Sequence, residues 1–233
     1  MTILAAASLR DALDVVKGAY FSDHPTVALT LATDSSAALA TQILEGAPAD
    51  VFLSADEGNP AKLVEAGLAD GPAVQFAANG LTIVVPSGLD TLASPIDLAH
   101  PGVKVIAAGT DVPITKYATQ LVEALAQLPG YPPDFVASYT SNVVSREDNV
   151  KSVIAKIELG EGDAAIVYAT DATASGKVDE LEIPPAAQVR ATYAGVVLAG
   201  SDQRAEAGAF MDWLTGDGGQ AILADFGFLS PAS

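Results

Sequence analysis

Three times in its first 66 residues the chain repeats one local pattern: a short apolar run, a polar turn, then a helical stripe. The first copy runs Ile3-Leu4-Ala5-Ala6-Ala7, then Ser8, then Leu9, Leu13, Val16 and Tyr20 at helical spacing. Its apolar run is too short for a helix and reads as a buried strand, with Ser8 where an N-cap belongs. The second copy has a strand over 26–32, the break Thr33-Asp34-Ser35-Ser36-Ala37, and a helix carrying Leu39, Ile43 and Leu44. The third follows Gly46-Ala47-Pro48 with a strand over 49–54, turns at Ala55-Asp56-Glu57, and closes its helix at Gly67. Successive strand–helix units imply a parallel sheet with right-handed crossovers, so the expected fold class is α/β.

Beyond residue 77 the pattern changes. Ala77-Ala78-Asn79-Gly80 reads as a small, flexible crossing before an apolar strand from Leu81 to Val85, and a further strand is expected over 103–108. Asp111-Val112-Pro113 opens a helix with the stripe Ile114, Tyr117, Leu121, Leu125 and Leu128, Pro113 suiting its first turn. After the break at Pro129-Gly130, residues 136–144 read as extended. A helix with Val150, Val153, Ile154 and Ile157 on one face follows, then a buried strand from Ala164 to Tyr168, a helical 169–175 and a long strand over 189–198. Residues 204–228 read as helical, with breaks at Gly216 and Gly218-Gly219, and are expected to return to the first sheet. The expected domains are a discontinuous lobe of 1–79 plus 194–233 and a second lobe of 80–193. Hinge crossings near 77–85 and 189–198 would let the cleft between them open and close.

Several function classes are disfavoured. No cysteine is present, which removes disulfides, thiolate catalysis and Cys-ligated zinc. A net charge of −18 argues against nucleic acid and anionic membrane surfaces as partners. No apolar stretch reaches the ~20 residues that cross a bilayer. With no signal peptide before the first strand, the chain is expected to be either cytoplasmic or a mature region given a start methionine. His24 and His100 each precede a proline and lack a partner at metal spacing, so no directly ligated metal ion is expected. No nucleophile elbow or P-loop occurs, and no catalytic residue is assigned.

What remains is a set of strand ends and helix starts: Ser8, Ser35-Ser36, Ala55-Asp56, Pro113-Ile114-Thr115 and Asp148-Asn149-Val150. Open α/β sheets bind ligands beyond the carboxyl ends of their strands, where these turns fall. Helix N-termini there present N–H groups and a positive dipole end, worth ~0.3–1 kcal/mol when exposed and up to ~2 when partly buried. Tyr168, ending a buried strand, offers a phenolic donor. Such a set holds a small anion without any full positive charge. A fully deprotonated tetrahedral dianion only accepts hydrogen bonds and suits it; hydrogen phosphate would also want an acceptor, for which Asp34 and Asp56 are the candidates. Arg10, Lys116 and Lys151 are expected to pair with Asp11, Asp34, Asp111 or Asp148. Ser145-Arg146-Glu147-Asp148 reads as a capping box that would start a helix at Ser145 and occupy the Val150 N–H. A start at Asp148 or Asn149 leaves that group available, and is preferred.

The segments Ala5-Ala6-Ala7-Ser8-Leu9, Ser35-Ser36 before Leu39-Ala40, Gly46 through Asp56, Glu147-Asp148-Asn149-Val150, Ile166-Val167-Tyr168 and Phe226-Gly227-Phe228 resemble the periplasmic molybdate-binding proteins of ABC transporters. The resemblance implies a two-lobed, type II periplasmic-binding-protein fold with a mainly parallel sheet in each lobe and the ligand in the inter-lobe cleft. It implies capture of molybdate or tungstate, held as an oxyanion without a cofactor, and delivery to a membrane permease by an extracytoplasmic monomer that is not an enzyme. Carried over by residue, Ser8 and Ser36 match ligand serines and Tyr168 a ligand tyrosine. Ala55, Ile114 and Val150 fall where the family donates backbone N–H groups. The alternatives are a binder of sulfate or phosphate and, further off, an enzyme on the same fold. Asp34 and Thr115 depart from the family pattern, one bringing a carboxylate near the site and the other replacing a commoner glycine.

Overall fold

The computed structural model describes residues 1–231, so residues 232 and 233 of the expected first lobe lie outside the described residues. The chain divides into two compact units, Met1–Asn79 with Ala191–Ser233, and Gly80–Arg190. In the first, β1 (Thr2–Ala6), α1 (Arg10–Asp23), β2 (Thr30–Asp34), α2 (Ser36–Leu44), β3 (Val51–Ser54) and α3 (Gly58–Glu65) alternate as the repeated pattern requires. β4 (Val74–Pro86) carries the chain into the second unit. That unit contains β5 (Val105–Ala108), α4 (Pro113–Ala126), α5 (Phe135–Ser141), β6 (Val143–Glu147), α6 (Val150–Glu158), β7 (Ala164–Tyr168), α7 (Ala169–Ala174) and β8 (Val178–Leu181). β9 (Arg190–Val197) returns to the first unit, which ends with α8 (Arg204–Thr215) and α9 (Asp217–Asp225).

In the first unit β1 lies between β2 and β3, parallel to both, while β9 runs antiparallel to β3. One side of this sheet is packed by Leu4, Leu39, Ala40, Ile43, Phe52, Leu63, Val196 and Leu198. Elsewhere in the unit α1 meets the C-terminal helices: the Tyr20 ring contacts Phe210 and Trp213 edge-on, at centroid distances of 5.2 and 5.3 Å. In the second unit β5 pairs in parallel with both β6 and β7, and β4 pairs antiparallel with β7 and β8. The parallel triplets are β1–β2–β3 and β5–β6–β7. Each therefore delivers three strand ends to one edge of its own sheet.

Three local expectations are corrected, and one strand was not anticipated. Residues 77–80 are no flexible link, because Ala77, Ala78 and Asn79 are fully buried inside β4 and Ala78 exchanges two backbone hydrogen bonds with Leu229, of 2.7 and 2.8 Å. Residues 136–144 are not continuously extended: α5 occupies most of them, anchored by the buried Phe135, whose ring Tyr131 meets edge-on at 4.8 Å. Hydroxyls of Thr140 and Ser141 bond back to carbonyls one turn earlier, which lets polar residues stay helical. The strand expected over 26–32 is displaced to Thr30–Asp34 by its pairing with β1. The charged strand β8 escaped notice because Asp179 and Glu180 hide its period on an exposed edge.

Close strand approach explains Gly195. It lies opposite Leu53 in the β3–β9 ladder, where an added Cβ would stand 2.7 Å from Leu53 Cδ2 and 3.1 Å from the Phe52 carbonyl oxygen. Gly195→Ala is expected to lower unfolding free energy by about 1–3 kcal/mol, the usual range for overpacking a core. Urea unfolding checks this, and an unchanged midpoint with an unchanged slope would contradict it.

Candidate functional site

The first unit brings Ser8, Ser36 and Ala55 to the carboxyl edge of its parallel strands. Ala6 pairs with Asp34, and Ala5 with both Thr33 and Leu53, so the turns after β1, β2 and β3 begin side by side. Ser8 is not an N-cap. It sits in a 3-10 turn, Ala7–Leu9, and α1 begins only at Arg10. Its hydroxyl oxygen lies 2.9 Å from the phenolic oxygen of Tyr193, which replaces capping as the reason for its placement. Ser35 is the true cap of α2, its hydroxyl accepting from the Ala38 N–H at 3.2 Å. Ser36, the first helical residue, is left to face β3, where the Ala55 N–H donates to its oxygen at 3.0 Å.

Both nearby carboxylates are engaged by the loops they belong to. Asp34 accepts from the Ser35 N–H at 2.7 Å. Asp56 accepts from the Ser54 hydroxyl at 2.7 Å, the Asn59 N–H at 3.1 Å and the Asn59 side-chain amide at 3.0 Å. This cluster fixes the turn that carries Ala55. Arg10 donates to the Thr33 hydroxyl at 2.9 Å.

The second unit repeats the arrangement with Ile114, Val150 and Tyr168. Ile114 is the second residue of α4 and Val150 the first of α6, where a helix provides no partners for N–H groups. The helix around Val150 starts late, as preferred. Asn149 caps it by accepting from the Ser152 N–H at 3.1 Å, while Ser145 and Glu147 belong to β6. The capping box fails because Ser145 donates its hydroxyl to the Glu147 carboxylate instead. Thr115 turns back on the preceding loop, donating to the carbonyls of Ala108 and Gly109 at 3.1 and 2.8 Å. A glycine there would lack this anchor. Tyr168 ends β7 opposite Leu81 and is buried. Lys151 forms its ion pair with the buried Asp171 at 3.1 Å, an acid that sequence pairing had not named.

Glu147 and Lys156 brace the strand that leads to Val150. Their charged atoms are 2.9 Å apart, and Lys156 also donates to the Ser145 hydroxyl at 3.0 Å. Burial pushes the Glu147 carboxyl up, but hydrogen bonds from Ser145 and Lys156 and the lysine charge outweigh it, leaving it below its ordinary value. Tyr193 and Asn79 were missed by sequence reasoning. Tyr193 lies 185 residues from Ser8 on a plain apolar strand, and no local spacing marks it.

A family model described as "Bacterial extracellular solute-binding protein" matches residues 1–229. The chain belongs to this family. Molybdate-binding protein ModA of Mycobacterium tuberculosis is 33% identical to this solute-binding protein over 233 residues, covering 99% of this chain and 85% of the relative. The periplasmic molybdate-binding protein of Azotobacter vinelandii superposes with a TM-score of 0.84 at 23% identity, with all of both chains covered. The sulfate-binding protein SubI of M. tuberculosis superposes with a TM-score of 0.87 at 24% identity, covering 98% of this chain and 85% of that one. The α/β fold expected from the sequence is the fold observed, and it is shared with the periplasmic molybdate-binding protein of A. vinelandii.

Because the Glu147 carboxyl is lowered in the folded state, its contribution to stability is full above the ordinary carboxylate range. It is lost as pH falls through the folded value. Lys156→Met should therefore cost most stability above the carboxylate range and progressively less as pH falls through it, with the acid-unfolding midpoint moved to higher pH. Circular dichroism across pH 2–7 (roughly the span of carboxylate titration) checks this; a coincident acid transition would contradict it.

Proposed function

We propose that this solute-binding protein captures molybdate, and tungstate with it, and hands the oxyanion to the permease of an ABC transporter. Ser8, Ser36 and Tyr168 are its hydroxyl donors, and Ile114 and Val150 its backbone donors. Ala55, expected from the resemblance to donate directly, gives its N–H to Ser36 and acts through that serine. The proposed setting is extracytoplasmic, as a monomer, with neither a cofactor nor a catalytic step. The observation that carries the reading is the uncharged character of the donors at both parallel strand edges. Nearby cations have partners of their own, Arg10 on Thr33 and Lys151 on Asp171. The whole-length likeness to a molybdate-binding relative supports the choice of oxyanion.

Hydrogen phosphate fits less well. It carries a proton and wants an acceptor, and the two candidate carboxylates already receive donors from Ser35, Ser54 and Asn59. Sulfate shares the acceptor-only chemistry of molybdate and is the competitor to test, given the fold shared with SubI.

Thermal shift with molybdate, tungstate, sulfate and phosphate is the direct experiment. At ~100 times the dissociation constant a ligand adds ~2.7 kcal/mol of stability. Molybdate and tungstate are expected to give the largest shifts, and no response to either at millimolar concentration would reject the proposal. Ser36→Ala is expected to weaken molybdate binding by about 1.5–3 kcal/mol, the loss of a hydrogen bond to a charged group. Calorimetry showing unchanged affinity would remove Ser36 from the site.

A further inference from the structure

Ser8 has a second layer behind it. Tyr193 on β9 and Asn79 on β4 are both fully buried, and the Asn79 side-chain amide donates to the Tyr193 phenolic oxygen at 3.4 Å. The same oxygen lies 2.9 Å from Ser8 Oγ. Phe76 and Phe228 meet the Tyr193 ring edge-on, with centroids 6.2 and 5.5 Å away. Phe228 is held beside the ring because its neighbour Leu229 is bonded to Ala78.

These contacts carry a direction. An amide NH₂ donates and cannot accept, so Asn79 makes the Tyr193 oxygen an acceptor. Either oxygen of the Tyr193–Ser8 pair can supply the proton between them. A Tyr193 oxygen that already accepts from Asn79 favours the arrangement in which the phenol donates to Ser8 Oγ. In that arrangement the Ser8 oxygen receives a hydrogen bond and its own proton is left for another acceptor. Ser36 is loaded the same way by the Ala55 N–H. Hydrogen bonds in such a chain also polarise one another, strengthening the terminal donor.

We propose that Tyr193 and Asn79 are positioning residues that commit the Ser8 hydroxyl to donating, and so bias the site toward oxyanions that carry no proton. This rests on the reading that Ser8 contacts a bound oxyanion. A serine free to rotate can accept from the P–OH group of hydrogen phosphate. A serine already receiving a proton from Tyr193 does so poorly. Tyr193 thus acts on ligand choice through Ser8, without touching the ligand.

The test is a double-mutant cycle read by calorimetry with molybdate and phosphate, using wild type, Ser8→Ala, Tyr193→Phe and the double variant. Tyr193→Phe keeps the ring and its packing and removes only the proton donor. It is expected to weaken molybdate binding about 3–10-fold, the range for one net hydrogen bond. Phosphate should weaken less, narrowing the molybdate-to-phosphate ratio. In the Ser8→Ala background the same substitution should change molybdate affinity less than about twofold, since coupled residues are non-additive. Asn79→Leu, with Tyr193 intact, should narrow the ratio in the same direction, and it carries the test if the tyrosine variant does not fold. Equal losses with and without Ser8, or an unchanged ratio, would overturn the proposal by making Tyr193 a packing residue only. Wild type that ignores molybdate overturns the underlying function instead. Wild type that binds while Ser8→Ala binds equally well removes Ser8, and this inference with it.

Discussion

Parallel strand pairing is the constraint from which the candidate site follows. A parallel strand must be followed by a crossover, and the crossover here is a helix whose first turn lies at the carboxyl edge of the sheet. Pairing three such strands side by side gathers three helix starts at one edge. In β1–β2–β3 that edge carries Ser8, Ser36 and Ala55; in β5–β6–β7 it carries Ile114, Val150 and Tyr168. The donors are neutral because helix starts supply N–H groups, and a hydroxyl whose oxygen accepts a hydrogen bond from one of them keeps its own proton to donate. The Ala55–Ser36 contact shows this in its smallest form.

The acidity of the chain, −18 overall, sits beside this donor set without cancelling it. The buried acids Asp50, Asp56 and Asp171 are each met by partners close in space. Asp50 accepts from the Thr2 N–H and the Ser201 hydroxyl, Asp56 from Ser54 and Asn59, and Asp171 faces Lys151. A carboxylate that receives several hydrogen bonds from one loop is a structural clamp. That is why Asp56, adjacent to Ala55, shapes the turn. Asp34 accepts from the Ser35 N–H just before α2, so the acid that departs from the family pattern stands as part of the loop that presents Ser36.

Much of the architecture was legible because period and punctuation agree over the first 66 residues. Gly67, with φ of +71°, ends the α3 segment in the way its position suggested. The failures have physical causes. The sequence Ala77-Ala78-Asn79 looks unspecific because small residues carry little local preference, yet burial and the clasp with Leu229 make it rigid strand. Residues 136–144 read as extended, yet the packing of Phe135 draws most of them into a helix. Ser8 reads as a cap, since a hydroxyl before a helical stripe normally is one.

The sequence by itself determined the α/β class, the resemblance to molybdate-binding proteins and the residue types at each strand end. These depend on local period and on motifs contiguous in the chain. Only the tertiary structure decided what stands behind those residues. Tyr193 meets Ser8 across 185 positions and Asn79 meets Tyr193 across 114, and such pairs leave no trace in local spacing. The choice of hydrogen-bond partner belongs to the same class of fact. It depends on which neighbour fills each lone pair, and in this protein the chain supplies those neighbours only once the strands have paired.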